Sequence, residues 1–115
     1  MQAITLFFLL IFSGISYTQI PGPVALVDYS AQGLTSVPTD ILSFVTILLL
    51  RLNQITEIKQ TDFNFKYSNL DTVFFNSNVI TTVEDGSFNG TAITVISFTK
   101  NSLYRIPNLS AIGDT

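Results

Sequence analysis

An apolar frame recurs four times along this chain, and each copy ends with an amide side chain. In its full form, apolar residues hold the first, fourth, sixth and eleventh positions and asparagine holds the ninth. The three full copies contain Asn53, Asn78 and Asn101, which are 25 and 23 residues apart, and a weaker copy has Gln32 in the asparagine position. Units this short cannot bury a core alone, so they must stack on their neighbours. The sequence therefore predicts a repeat protein, with units 1 to 4 named here by those four amides in chain order.

The apolar members of the frame are the predicted core. Within each unit the fourth and sixth positions alternate with outward residues, which is the period of a half-buried strand. We therefore expect one short parallel strand per unit. A further apolar residue follows three positions after the frame, and Phe63 and Phe88 are predicted to stack as a spine. The frame residues and their followers are Val24, Val27, Tyr29, Leu34 and Val37; Val45, Leu48, Leu50, Ile55 and Ile58; Leu70, Val73, Phe75, Ile80 and Val83; and Ile93, Ile96, Phe98, Leu103 and Ile106.

Each asparagine of the frame is expected in the turn after its strand. A side-chain amide can both donate to and accept from backbone groups that the turn leaves unpaired. When units stack, Asn53, Asn78 and Asn101 are predicted to form a structural ladder of hydrogen bonds. The side chain of Gln32 is one carbon longer, so we expect it to fit this ladder of hydrogen bonds less well.

The outward residues of successive strands are predicted to align in columns that a partner could contact. They combine apolar side chains with an arginine, a composition that protein interfaces favour. The alternative is that these residues only favour strand formation. The predicted ligand-binding residues are Ile47, Leu49, Arg51, Phe74, Asn76, Val95, Ser97 and Thr99.

Composition argues against catalysis and against nucleic acid as a partner. The chain has no histidine and no cysteine, so it lacks the usual neutral-pH base, thiol nucleophile and zinc ligands. Glu84 and Asp85 are its adjacent carboxylates, and we interpret them as a solvated turn. The net charge is −3, with the five basic residues scattered. We expect no enzymatic activity, no catalytic residue, no metal and no cofactor.

The N-terminal segment has the pattern of a secretory signal peptide. A short apolar run, residues 4–12, precedes small and polar residues, and cleavage could follow Ser16 or Thr18, with residues 1–18 as the favoured leader. A buried or membrane-anchoring segment is the alternative. Two glycosylation sequons, at Asn89 and Asn108, agree with secretion. The predicted location is therefore extracellular, secreted or at the cell surface.

The frame, together with the run of residues 32–38, Gln-Gly-Leu-Thr-Ser-Val-Pro, resembles the extracellular leucine-rich repeat proteins, specifically their N-terminal portion. The resemblance implies an α/β-type leucine-rich repeat solenoid, with short parallel strands on the concave face and loops or short helical turns on the convex face. It implies a cap-like first repeat over residues 19–44 and about three repeats over 45–115. Tyr29 stands where the family typically has a capping cysteine.

The chain's last residues look like a loop about to enter another strand, with no C-terminal cap. We therefore expect a fragment of a longer protein, with a natural short form as the alternative, and an exposed apolar end that could form a homodimer. The resemblance implies a recognition or adhesion module whose partner is a protein ligand or an extracellular matrix component. A membrane connection would come only through a missing C-terminal part. The alternative is a structural segment of a longer receptor or matrix protein, with no ligand site of its own.

Overall fold

The computed structural model describes residues 5–9, 23–110 and Ile112. Among these residues, two groups of strands and one short helix follow one another along the chain. The elements are β1 (Thr5–Leu9), β2 (Val24–Asp28), β3 (Ile47–Leu49), β4 (Glu57–Ile58), α1 (Gln60–Phe63), β5 (Thr72–Phe74), β6 (Thr82–Val83) and β7 (Val95–Ser97).

The larger sheet contains one strand of each unit, with β1 at one edge. Its order is β1-β2-β3-β5-β7, and the four strands from β2 onward run parallel to one another. The pairing keeps equivalent frame positions side by side, because Leu48 pairs with both Val27 and Val73. Residues with the same place in successive units therefore form columns across the sheet.

Burial within these strands follows the alternation in the sequence. Leu48 and Val73, at the centres of β3 and β5, are buried, and their neighbours on either side are only half-buried. β-Branched and long apolar side chains suit such a strand because one face of the pleat packs on the core. The buried face of the sheet is thus the frame, and the other face is available to solvent.

Strand β1 lies on the outer edge of β2. It runs antiparallel, with Thr5 opposite Asp28 and Leu9 opposite Val24. This strand falls within the segment predicted as a signal peptide, while both predicted cleavage sites lie outside the described residues. The prediction of a leader over residues 1–18 stays a prediction.

The returning segments of units 2 and 3 pair with each other. Strands β4 and β6 form a small parallel sheet, with Ile58 opposite Val83. The sequence predicted loops or short helical turns here, and the short strands were not anticipated. Directly before these strands, the Thr81 N–H donates to Thr56 O at 2.9 Å, so stacking pairs these two backbone groups as well. Helix α1 follows β4, and the Asp62 carboxylate accepts the Lys59 N–H at its start, at 2.8 Å.

Aromatic rings fill the core between the two sheets. Phe63 and Phe88 lie 5.1 Å apart between ring centroids, and Phe75 packs against both of them. The ring of Phe98 stacks on Phe75 at 5.2 Å, with an interplanar angle of 7°. The packed aromatic rings are therefore Phe63 and Phe88, which the sequence predicted, together with Phe75 and Phe98, which hold the sixth position of the frame.

The first unit is held by a buried tyrosine. Tyr29 is fully buried, and its hydroxyl donates to Asp40 Oδ1 at 3.1 Å. Burial first, then this hydrogen bond and the carboxylate charge, raise the pKa of Tyr29 to about 12. This hydrogen bond ties the strand end to the loop that follows, at the position where the resembled family has a cysteine.

Candidate interaction surface

A left-handed residue lies three positions after the end of each of the four parallel strands β2, β3, β5 and β7. Leu52, Ser77 and Lys100 have φ values of 59°, 60° and 57°, and each comes directly before the asparagine of its unit. Ala31, which comes directly before Gln32, has a φ of 57°. This conformation is uncommon for residues other than glycine and costs energy unless neighbouring contacts hold it. The residue that follows, the asparagine, is buried in units 2 and 3.

Asn78 shows how the asparagines hold this turn. It is buried, and its Oδ1 accepts the N–H of Ile55 in the preceding unit at 3.0 Å. Its Nδ2 donates to Leu50 O of the preceding unit and to Phe75 O of its own unit, both at 2.9 Å. One amide therefore satisfies three backbone groups and joins two units.

Asn53 and Asn101 make equivalent contacts. Each accepts a backbone N–H of the preceding unit and donates to carbonyls of both units. The accepted bonds run from Gln32 N to Asn53 Oδ1 at 2.9 Å, from Leu34 N to Asn53 Oδ1 at 3.0 Å and from Ile80 N to Asn101 Oδ1 at 2.9 Å. These bonds fix the spacing of the strands that carry the candidate surface.

The eight predicted binding residues all lie on the solvent side of the larger sheet, which we call the outer face. The register brings them together in columns although they come from three units. One column is Leu26, Ile47, Thr72 and Val95, and the next is Asp28, Leu49, Phe74 and Ser97. Arg51, Asn76 and Thr99 follow at the strand ends, where Leu52 N–H donates to Asn76 O and Ser77 N–H donates to Thr99 O.

The middle of the outer face is apolar and partly open to solvent. Ile47, Leu49 and Phe74 are half-buried, and Val95 is 45% exposed. Phe74 lies between Leu49 and Ser97 in its column. Its ring is thus placed among side chains of three neighbouring strands, where a partner could contact all of them.

A polar depression of about 250 Å³ adjoins this apolar area at the C-terminal ends of the strands. Within it the Asn76 Nδ2 donates to Thr99 Oγ1 at 2.7 Å. We call this depression the upper rim. It is lined by Arg51, Leu52, Asn76, Ser77, Thr99 and Lys100.

A larger groove, about 530 Å³, lies at the opposite ends of the strands. Phe44 and Ile47 contribute apolar surface to it, and Asp71 contributes a carboxylate. That carboxylate accepts the hydroxyl protons of Thr94 at 2.7 Å and Thr72 at 3.0 Å. Asp71 therefore already links units 3 and 4.

The basic residues divide into two groups by their contacts. Lys59 lies 3.8 Å from Glu57, Arg105 pairs with Asp85 at 3.1 Å, and Lys66 donates to a backbone carbonyl at 3.3 Å. The other two, Arg51 and Lys100, make no side-chain hydrogen bond or ion pair with any described residue. Both line the upper rim, so the cations without a protein partner are in one place. Lys100 was not among the predicted binding residues.

The two sequons differ in accessibility. Asn108 is exposed, and its Oδ1 accepts the Ser110 N–H at 3.1 Å in a local turn. Asn89 is half-buried, and Thr91 of the same sequon is buried with its hydroxyl bonded to Phe88 O at 2.7 Å. A glycan on Asn108 would project into solvent with no change in the fold.

The described residues contain no group of three acidic side chains placed to hold a metal ion. In the same part of the chain, no helix has the length and apolar character that crossing a membrane requires. Neither the models of known protein families nor the curated proteins compared with this chain match it.

Proposed function

We propose that the chain is an extracellular leucine-rich repeat module that binds a protein ligand through its outer face, which would be the concave face of the solenoid. The repeat assignment rests on the spacing of the frame and on the asparagine contacts. Each of Asn53, Asn78 and Asn101 joins its own unit to the one before it. A side chain that needs a neighbouring unit to satisfy it is expected in a stacked repeat protein.

The observation that carries the binding proposal is the composition of the outer face. Phe74, Leu49 and Ile47 are half-buried in one continuous area, beside the exposed Arg51. Aromatic and arginine side chains contribute most to the binding free energy of many protein interfaces. Residues needed only for strand formation could be polar threonines, and this area keeps large apolar side chains where they face water.

A second candidate function is a structural one, in which this part of a longer solenoid contacts no ligand. The observation that favours it is the exposure of the last unit. Ile106 is 89% exposed, although the equivalent residues Val83 and Ile58 are 6% and 0% exposed. A core position open to water indicates a surface that further repeats could cover.

Binding can be tested with a double substitution on the outer face. The chain, fused to an Fc fragment and secreted, would be screened against an array of purified extracellular domains and matrix proteins. Phe74→Ala with Arg51→Ala is expected to abolish any specific binding. Tyr104→Ala with Arg105→Ala is the matched control, since it removes an exposed aromatic and an arginine from another surface.

The outcomes separate the two candidate functions. Loss of binding in the outer-face variant alone, with an unchanged circular-dichroism spectrum, would support the module. Binding that survives in the outer-face variant, or no specific binding at all, would contradict it and favour the structural segment. Loss of the circular-dichroism signal in the outer-face variant would contradict the assignment of these residues as binding residues, because Phe74 would then be needed for folding.

Secretion has its own test. The chain expressed in secretory cells is expected in the medium, with its leader removed and with a glycan on Asn108. Treatment with an endoglycosidase should then lower the apparent mass of the wild type and of the Asn89→Gln variant. The apparent mass of the Asn108→Gln variant should fall by less or stay the same. A chain retained in the cell with its full N-terminus would contradict the extracellular assignment.

A further inference from the structure

We infer that the outer face selects ligand segments in which an acidic side chain lies next to apolar ones, with the ligand carboxylate held between Arg51 and Lys100. This inference rests on the proposed function and adds the chemistry of the ligand to it. Three observations carry it: the unpaired cations, their position and the neighbouring apolar area.

The first observation is the charge on the upper rim. Arg51 and Lys100 are exposed, and they make no ion pair with a described residue, whereas Lys59 and Arg105 do. The chain as a whole carries a net charge of −3, so this basic rim differs in sign from the rest. A surface that concentrates its free cations attracts an anionic group of the partner.

The second observation is their separation. Arg51 belongs to unit 2 and Lys100 to unit 4, with unit 3 between them. Adjacent strands lie about 4.8 Å apart, so the two backbones are about 10 Å apart. Both side chains line the same depression of about 250 Å³. A carboxylate between them could accept a bidentate pair from the guanidinium and a further bond from the ammonium.

The third observation is the apolar area next to the rim. Leu49 and Phe74 occupy the adjoining column, two residues before Arg51 and Asn76 along their strands. Side chains on one face of a strand are about 7 Å apart, so an extended ligand could place apolar and acidic residues at matching positions. The same column contains Asp28, a carboxylate that would repel a ligand carrying anionic groups along its whole length. A peptide therefore fits better than a sulfated polysaccharide.

The test uses a phage-displayed library of random 12-residue peptides, selected on the secreted wild-type chain. Selected peptides are expected to be enriched in aspartate or glutamate beside aromatic or aliphatic residues. The dissociation constant of the best synthetic peptide should rise about tenfold or more in the variant with Arg51→Gln and Lys100→Gln, since charge-assisted bonds are lost. It should also rise with added salt, because the pair is near the surface.

The matched control is the variant with Lys59→Gln and Arg105→Gln. It has the same net charge but leaves the upper rim intact, and it should bind the peptide like the wild type. Melting temperatures of both variants should match the wild type, because all four residues are exposed. An equal loss of binding in both variants would overturn the inference, since net charge alone would then explain it.

The remaining outcomes distinguish this inference from the proposed function. Peptides without acidic enrichment whose binding is lost in Phe74→Ala would overturn the inference and leave outer-face binding standing. Failure to select any peptide sensitive to Phe74→Ala or to the rim variant would overturn both. Tight binding of heparin that depends on Arg51 and Lys100 would overturn the peptide assignment in favour of a polysaccharide.

Discussion

At the scale of single residues, two asparagines separated by one position have opposite roles. Asn78 points inward and satisfies three backbone groups, while Asn76 points outward and bonds to the Thr99 hydroxyl. The left-handed turn at Ser77 separates them. A substitution at one position is therefore expected to change stability, and at the other to change the candidate surface.

Replacing Asn78 by alanine should destabilise the protein strongly. The change leaves Ile55 N–H, Leu50 O and Phe75 O without the amide, and each buried group left unpaired costs about 1 to 3 kcal/mol. We expect a loss of roughly 3 kcal/mol in the free energy of unfolding, measured by urea denaturation. Asn69→Ala, at an exposed position, is the control and should change it by less than about 0.5 kcal/mol. Equal effects of the two changes would contradict the ladder.

Tyr29 should make stability sensitive to high pH. Its pKa is about 12 in the folded protein and about 10 in an unfolded chain. Between those values the unfolded chain loses the hydroxyl proton first, so the free energy of unfolding should fall as pH rises from 10 to 12. Urea titrations at several pH values in this range would measure the slope. In Tyr29→Phe the slope should be shallower but not zero, because burial raises the pKa of Tyr67 as well.

At the scale of elements, a close contact links the loops that follow the small sheet. Phe65 in unit 2 has a φ of 54° and is 60% exposed, and its ring lies over Gly90 in unit 3. A Cβ added to Gly90 would clash with Phe65 Cδ1. The glycine therefore allows the two loops to stack.

Alanine substitutions at two glycines separate this contact from backbone strain. Gly90 and Gly33 have φ values of 78° and 69°, but only Gly90 has a neighbour that a Cβ would meet. Gly33→Ala should cost about 1 kcal/mol for the left-handed conformation. Gly90→Ala should cost roughly 1 kcal/mol more in urea denaturation, because the Phe65 ring must move.

A double-mutant cycle checks the cause of the difference. Adding Phe65→Ala should remove most of the extra cost of Gly90→Ala and none of the cost of Gly33→Ala. If the two glycine substitutions cost the same, or if Phe65→Ala rescues neither, the ring contact is not what requires a glycine at position 90.

At the scale of the whole molecule, the two sides of the larger sheet end differently. Strand β1 covers the edge of β2, whereas β7 is an edge strand among the described residues. Beside β7, Ile96, Phe98 and Leu103 are only partly buried, although the equivalent Val73, Phe75 and Ile80 are fully buried. This end of the core is an apolar surface that could associate with a second copy of the chain.

Ile106 offers a way to test self-association without disturbing the fold. Because this side chain is 89% exposed, Ile106→Lys should leave the melting temperature unchanged. It should shift the concentration-dependent sedimentation of the purified chain toward the monomer. Tyr104→Lys, at a residue that is 80% exposed but outside the apolar frame, is the control and should not shift it. A wild-type chain that is monomeric at every concentration would contradict the prediction.

The local pattern of the sequence determined which residues face inward and where the short strands lie. Leu48 and Val73 are buried in strands because an alternation of period two is a property of consecutive residues. The same alternation places Phe74, Arg51 and Asn76 on the outer face. That much of the fold and of the candidate surface follows from spacing alone.

The tertiary structure decided the features that depend on residues far apart in the chain. Lys100 joins Arg51 in one depression because two intervening strand pairings bring units 2 and 4 together. The pairing of β4 with β6 likewise depends on how two loops stack. Which cations stay unpaired depends on where every acidic side chain lies, as in the pairing of Arg105 with Asp85. Each of these features depends on which residues are neighbours in the folded chain. A pattern along the sequence does not specify those neighbours.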